Sequence, residues 1–337
     1  MTSLLTVALC FVTLFDATAA PAATSATDWE NVRRFRFEYQ AELTKLDVAD
    51  GAQVRVWIPH PWEGDVQRIG EVAVTSPWDY QVTTDSFGNR TIYLEGSGPV
   101  PADVTVAFDI ERLPYTGVGS TKVVPGGTDD PARYLAAPRL IPLQGTIEDI
   151  AEQVGGKLES KSEKAWAFYD YVYRTMSYDK SGDGWGRGDA VWACTNKRGN
   201  CTDFHSLFMG MALSQDIPAR FMIGFPIPAN QTEGTVGGYH CWAEYFDELR
   251  GWLPLDASEA KKSGHKAAYF GTLPNDRVRF TIGRDLTLEP AQDAGPLNYF
   301  IYPYVEVDSE PVETTAKFSF TRPSDGAAPA EAALHAD

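Results

Sequence analysis

Seven residues, Gly199-Asn200-Cys201-Thr202-Asp203-Phe204-His205, constrain this chain more than any others. Asn200 is a preferred helix N-cap residue. After it, Phe204, Leu207, Phe208, Met211 and Ala212 fall at i, i+3, i+4, i+7 and i+8, which is one face of an α-helix. The helix is expected to stop before Pro218, because proline disfavours helical geometry in the residue preceding it. Cys201 therefore occupies about the first helical position. Unpaired N–H groups and the positive end of the helix dipole face its sulfur there. Such a place lowers a thiol pKa and makes the nucleophilic thiolate accessible at neutral pH. The same N–H groups suit a developing oxyanion.

A nucleophile needs a base, and the base needs a group to orient it. Gly238-Tyr239-His240-Cys241-Trp242-Ala243-Glu244-Tyr245-Phe246 and Gly251-Trp252-Leu253-Pro254-Leu255-Asp256 read as two short strands rich in aromatic and branched residues. The turn falls at Asp247–Gly251. A hairpin centred on Glu248 sets Phe246 opposite Arg250 and His240 opposite Asp256. Opposed residues have Cβ atoms roughly 4.5–5.5 Å apart, close enough for an imidazole and a carboxylate to hydrogen-bond. His205 competes for the role of base, being one helical turn beyond Cys201. Its position suits packing or support of the site better. No zinc-type ligand spacing accompanies it, so neither metal nor cofactor is expected. Asp203, in the first helical turn, is expected to stabilise the helix.

The blocks GNCTDFHSLF, IPARFMIGFPIP, GYHCWAEYF and GWLPLDASEA, in that order, resemble the transglutaminase-like superfamily, a papain-like Cys-His-Asp fold. The resemblance is to secreted bacterial members and runs from about Tyr134 to Val307. It takes in Gly184-Trp185-Gly186-Arg187-Gly188-Asp189 and Asp276-Arg277-Val278-Arg279-Phe280. It implies Cys201 as nucleophile, His240 as base and Asp256 as the residue that orients it. The implied activity is cysteine-dependent amide hydrolysis, as in a peptidase or amidase, through a thioester acyl-enzyme and on a peptide or protein substrate. The alternatives are protein-glutamine acyl transfer to amines, or a non-catalytic binding role on the same fold.

The rest of the chain reads as an α+β protein with four segments. Residues 1–23 carry an apolar run, Leu4 to Phe15, and a small-residue cleavage pattern at Ala17-Thr18-Ala19. They are expected to be a signal peptide, giving an exported, periplasmic or secreted protein. Residues 24–125 are expected to form a small β-sandwich. Phe35–Tyr39, Val54–Ile58 and Val104–Phe108 alternate with period two there, and His60 reads as a loop residue. Residues 126–310 hold the catalytic domain of helices packed on an antiparallel sheet. Residues 311–337 supply an edge strand over Lys317–Arg322 and a disordered tail.

Within the catalytic segment Thr146 is expected to cap one helix. A second, Glu163–Met176, turns Trp166, Tyr169, Val172, Tyr173 and Met176 inward. Asp179–Gly184 begins like a calcium loop, but Ala190 stands where a bidentate Glu is needed. It reads instead as a glycine-rich loop lining the cleft, with Trp185, Trp192 and Asn196 as candidates for a second oxyanion donor. Val278, Phe280 and Ile282 alternate as a strand, and Leu297–Val307 reads as another. The net charge of −17 gives no basic footprint for nucleic acid. No stretch of the mature chain is apolar enough to enter a membrane. Of the cysteines left after export, Cys194 and Cys241 are expected to pair in an oxidising compartment. The strand alternation turns Cys241 away from His240 and so away from the site.

Overall fold

A computed structural model describes residues 32–117 and 127–322. The expected signal peptide, residues 118–126 and the expected C-terminal tail lie outside the described residues. The architecture is α+β, with antiparallel sheets and five α-helices among the described residues.

The N-terminal part supplies strands β1 (Arg33–Ala41), β2 (Gln53–Pro59), β3 (Gln67–Ile69), β4 (Ala73–Thr75), β5 (Tyr80–Thr84), β6 (Arg90–Ser97) and β7 (Val104–Arg112). Their alternation is the period-two signal made real. Along β1, Phe35, Phe37, Tyr39 and Ala41 are buried while Arg34, Arg36 and Glu38 face solvent. Burying one apolar face in this way fixes the register, because a one-residue slip would expose the whole set.

The helical part begins with α1 (Thr146–Gly155) and α2 (Lys161–Thr175). A short parallel pair, β8 (Ser177–Tyr178) and β9 (Arg198–Gly199), brackets α3 (Ala190–Asn196). Then come α4 (Cys201–Ser214), β10 (Ala219–Pro226), β11 (Glu233–Thr235), β12 (His240–Asp247), β13 (Gly251–Leu255), α5 (Ala257–Ser263) and β14 (Arg277–Ile282). The last strands are β15 (Tyr304–Val307), β16 (Glu310–Val312) and β17 (Ala316–Thr321). The strand expected over 297–307 thus keeps only its final four residues.

Three sheets carry the fold. One runs β11-β17-β1-β7-β3, with β4 also on β7; another runs β16-β15-β2-β6-β5; the third runs β13-β12-β10-β14. β17 is not an edge strand. It lies between β1 and β11 and pairs with both, because Phe318 and Phe320 insert beside Tyr39 and Phe225 in the common core. The chain's last strands therefore complete sheets begun by its first. Phe37 stacks on Phe225 of β10 at 5.4 Å and meets Phe280 of β14 at 5.8 Å. These contacts join the N-terminal sheet to the sheet that carries the site.

Helix α4 is the centre of the second half. Every residue from Cys201 to Leu213 is buried, so the single apolar face seen in its periodicity understates its environment. A helix covered on all sides belongs inside a domain; here α1, α2, α3, α5, β10 and β12 surround it. Two helix details also differ from expectation. The N-cap of α1 is Gly145, and Thr146 is the first helical residue. In α2 a Ser160–Glu163 capping box sets the start, and Trp166 is 39% exposed rather than inward. It packs edge-on against Phe270, with Lys266 over its ring.

Candidate active site

The start of α4 is built from reciprocal hydrogen bonds. Asn200 Oδ1 accepts the Thr202 N–H at 2.9 Å, and the Asp203 carboxylate accepts the Asn200 N–H at 2.9 Å. This is the capping box that the sequence Asn-x-x-Asp permits. Gly199 precedes it with φ +145°, and a Cβ there would lie 2.2 Å from Asp203 Oδ2. Asp203 does more than stabilise the helix. It also accepts the N–H groups of Gly186 and Gly188, at 2.6 and 3.1 Å, so the glycine-rich loop is tied to the first turn of α4. Arg284 closes the same junction, with Nη1 on Ser206 Oγ at 2.8 Å and Nη2 on the Arg187 carbonyl at 3.1 Å. Asn196 turns its amide back onto the Trp192 carbonyl of its own helix, a poor position for an oxyanion donor.

His240 opens β12, and its Nε2 lies 2.6 Å from Asp256 Oδ2. The expected contact forms, but not by the expected pairing. Phe246 faces Trp252 and Asp247 faces Gly251, so the hairpin is centred on Leu249, not Glu248. The shift moves each partner by two positions, which leaves every side chain on its original face. His240 pairs with Gly224 of β10. Asp256 lies just past β13, where it caps α5. Its Oδ1 accepts the Glu259 N–H at 2.8 Å and the Ser258 hydroxyl at 2.9 Å. Its Oδ2 also accepts Arg277 Nη1 at 2.8 Å.

With Nε2 on Asp256, the other ring nitrogen of His240 is left for the sulfur of Cys201, which lies near enough to shift the titration of the ring. Burial opposes a charge on His240. The Asp256 charge and hydrogen bond, with the bond to Cys201, outweigh it and raise its pKa to about 9. Burial would also raise the Cys201 thiol. Hydrogen bonds from Cys241 and His240, then the His240 charge, bring it well below the ordinary thiol range. Asp256 is likewise held well below the usual carboxylate range: burial opposes ionisation, but His240, Arg277 and His205 favour it. The arrangement is that of a thiolate–imidazolium pair backed by a carboxylate.

Residues 148–257 match the model of the transglutaminase-like superfamily. The chain carries a transglutaminase-like domain. An uncharacterized protein of Haemophilus influenzae is 26% identical over 305 residues, covering 78% of this chain and 83% of that protein. A Cytophaga hutchinsonii crystal structure, provisionally named a cysteine protease, is 16% identical with a TM-score of 0.57. It covers 86% of this chain and 90% of its own. The periplasmic domain of TgpA from Pseudomonas aeruginosa is 13% identical with a TM-score of 0.38, covering 71% of this chain and 94% of that domain.

Behind the candidate site of the transglutaminase-like domain stand residues whose part the sequence did not disclose. Arg277 is buried, with its guanidinium 5.3 Å from the Trp242 ring and its charge on Asp256. Its signal was only membership of a resembling block, with no spacing that tied it to Asp256. Cys241 is unpaired, as is Cys194, which overturns the expected disulfide. The alternation along β12 does turn Cys241 away from His240. That face, however, covers the first turn of α4, so its sulfur lies 3.7 Å from both Thr202 Oγ1 and His205 Nδ1. Among the described residues no group of three or more His, Cys, Asp or Glu could hold a metal ion. None of the described helices is long and apolar enough to cross a membrane.

His205 is fully buried, and its Nε2 accepts the Ala257 N–H at 3.2 Å. A backbone N–H only donates, so Nε2 carries no proton and the imidazole is neutral. Burial lowers its pKa to about 4. A base with a depressed folded pKa binds its proton first in the unfolded chain. Stability is therefore lost as pH falls from about 6.5 toward 4, by on the order of 3 kcal/mol. His205→Gln, which keeps an acceptor for Ala257, is expected to lose less stability between pH 7 and pH 4.5 than wild type. Urea titrations at the two pH values measure it. An identical acid loss in both proteins rules out His205 as the source.

Proposed function

We propose that the chain is a cysteine-dependent amide hydrolase of peptide or protein substrates, with Cys201 as nucleophile, His240 as general acid–base and Asp256 as the residue that orients it. The observation that carries this reading is the 2.6 Å Asp256–His240 contact behind a cysteine at the first position of a buried helix. His240 holds the proton of Cys201, and the thiolate attacks the amide carbonyl carbon. The carbonyl oxygen becomes an oxyanion. The Cys201 backbone N–H, which has no intrahelical partner at that position, is the proposed donor to it. The tetrahedral species collapses as His240 passes its proton to the departing amine, leaving a thioester. His240 then takes a proton from water, the hydroxide releases the acid, and the thiol is restored. Asp256, itself fixed by Arg277 and the α5 N-terminus, keeps the Nε2–H of His240 directed at it through each proton transfer.

Hydrolysis and acyl transfer share the thioester, and they differ in whether water or an amine reaches it first. Incubating the protein with a protein acyl donor and a labelled primary amine, while counting new termini and released ammonia, distinguishes them. New termini or ammonia are expected in excess over incorporated label, with both absent in Cys201→Ala. Stable label incorporation with little hydrolysis would make the enzyme an acyltransferase. Neither product from a broad peptide and protein panel would favour a binding role.

A further inference from the structure

A cavity of about 190 Å³ opens on the face of the β13-β12-β10-β14 sheet that carries Trp242 and Glu244, away from α4. Cys201, His240 and Asp256 do not line it. Its walls come from both parts of the fold: Trp62 and Arg112 from the N-terminal sheet region, Arg220, Trp242, Glu244 and Arg279 from the third sheet.

Its charges do not balance away from solvent. Arg220 is well satisfied, at 2.7 Å from both Glu244 and Asp129. Arg279 shares Glu244 at 3.8 Å only, with its guanidinium 4.5 Å over the Trp62 ring. Arg112 is 3% exposed. Its one side-chain hydrogen bond among the described residues runs from Nη1 to the Val66 carbonyl at 2.9 Å, and its buried Nε has no partner. Of the four carboxylates that line the cavity with three guanidinium groups, only Glu244 is buried; Asp129, paired with Arg220, and Glu63 and Asp65 are exposed. Burial, then the Arg279 and Arg277 charges, lower the Arg112 pKa to about 9. A buried polar group without a partner is costly and needs an explanation. A guanidinium facing a cavity finds its best partner in a carboxylate, which accepts two parallel N–H bonds.

We propose that this cavity binds a small organic carboxylate, its charged end between Arg112 and Arg279 and its flat apolar body against the Trp62 and Trp242 rings. The two halves of the site select different features. The guanidinium pair rejects neutral isosteres, because an amide cannot supply the missing charge. The indole faces favour an apolar body over a compact inorganic anion, since aromatic rings gain from burying flat apolar surface. The volume admits a ring-sized molecule, not a length of polypeptide.

The test is a tryptophan-fluorescence titration of the full chain with benzoate, benzamide and sulfate at neutral pH. Saturable binding of benzoate is expected, at least tenfold tighter than benzamide and tighter than sulfate. Arg112→Gln and Arg279→Gln are each expected to weaken benzoate at least tenfold while leaving benzamide nearly unchanged. Cys201→Ala is expected to bind benzoate like wild type, which separates this cavity from the candidate active site. Should Arg112→Gln fail to fold, Arg279→Gln decides alone. Absence of saturation by benzoate, equal binding of benzamide, or benzoate binding unaffected by the arginine substitutions would each overturn the proposal. Sulfate binding as tight as benzoate would overturn the assignment of the apolar subsite.

Discussion

Cys201→Ala is expected to abolish peptide hydrolysis, and His240→Ala to lower turnover by about 10⁴–10⁶-fold, the range of loss when a member of such a triad is removed. Asp256→Asn is expected to lose rate while keeping the fold. His205→Gln is expected to retain a measurable fraction, since His205 supports Ala257 and is held neutral. Iodoacetamide gives an independent readout. Burial raises the thiol pKa of Cys194 and Cys241, whereas that of Cys201 is depressed. One equivalent of label per folded chain is therefore expected, located at Cys201. The reactive ion pair exists above the depressed Cys201 pKa and below that of His240, at about 9. Hence kcat/KM is expected to fall as pH rises through about 9, where His240 loses the proton it must hand to the leaving amine. An active His240→Ala with an inactive His205→Gln would reassign the base, and label on Cys194 or Cys241 would reassign the nucleophile.

Arg277→Leu is expected to cost about 3–5 kcal/mol of stability, the range seen when one partner of a buried ion pair is removed. The reason is that Asp256 stays behind, fully buried and ionised, with one charged partner fewer. Asp256 also caps α5, so the loss spreads to the backbone that positions the carboxylate, and activity is expected to fall with it. Arg277→Lys is expected to recover part of the stability, because it restores the charge without the planar guanidinium over Trp242. Urea unfolding at pH 7 measures both. A loss below about 1 kcal/mol in Arg277→Leu would mean that solvent or another group compensates Asp256.

The parts of this protein that could be read from its sequence are those whose physics is local. Asn200, Cys201 and Asp203 lie within one helical turn, so capping geometry placed the cysteine at the helix start without knowledge of the rest. The alternation of Phe35, Phe37 and Tyr39 likewise needs only the pleat of a strand. Tertiary structure decided what spacing along the chain does not encode. The hairpin register moved by two positions, and His240 still met Asp256, because an even shift keeps the faces and the α5 cap brought the carboxylate back. Arg277 reaches Asp256 from the far edge of the sheet, 21 residues on. Tertiary packing of the chain beyond the strand ends, not sequence distance or strand adjacency, made them neighbours. Cys241 followed the predicted alternation, yet α4 lay on the face it turned to. β17 stands between β1 and β11, where Phe318 and Phe320 complete a core begun near the other end of the chain. Periodicity reports which face of an element is apolar, while the neighbour that covers it is chosen by the summed packing of distant segments.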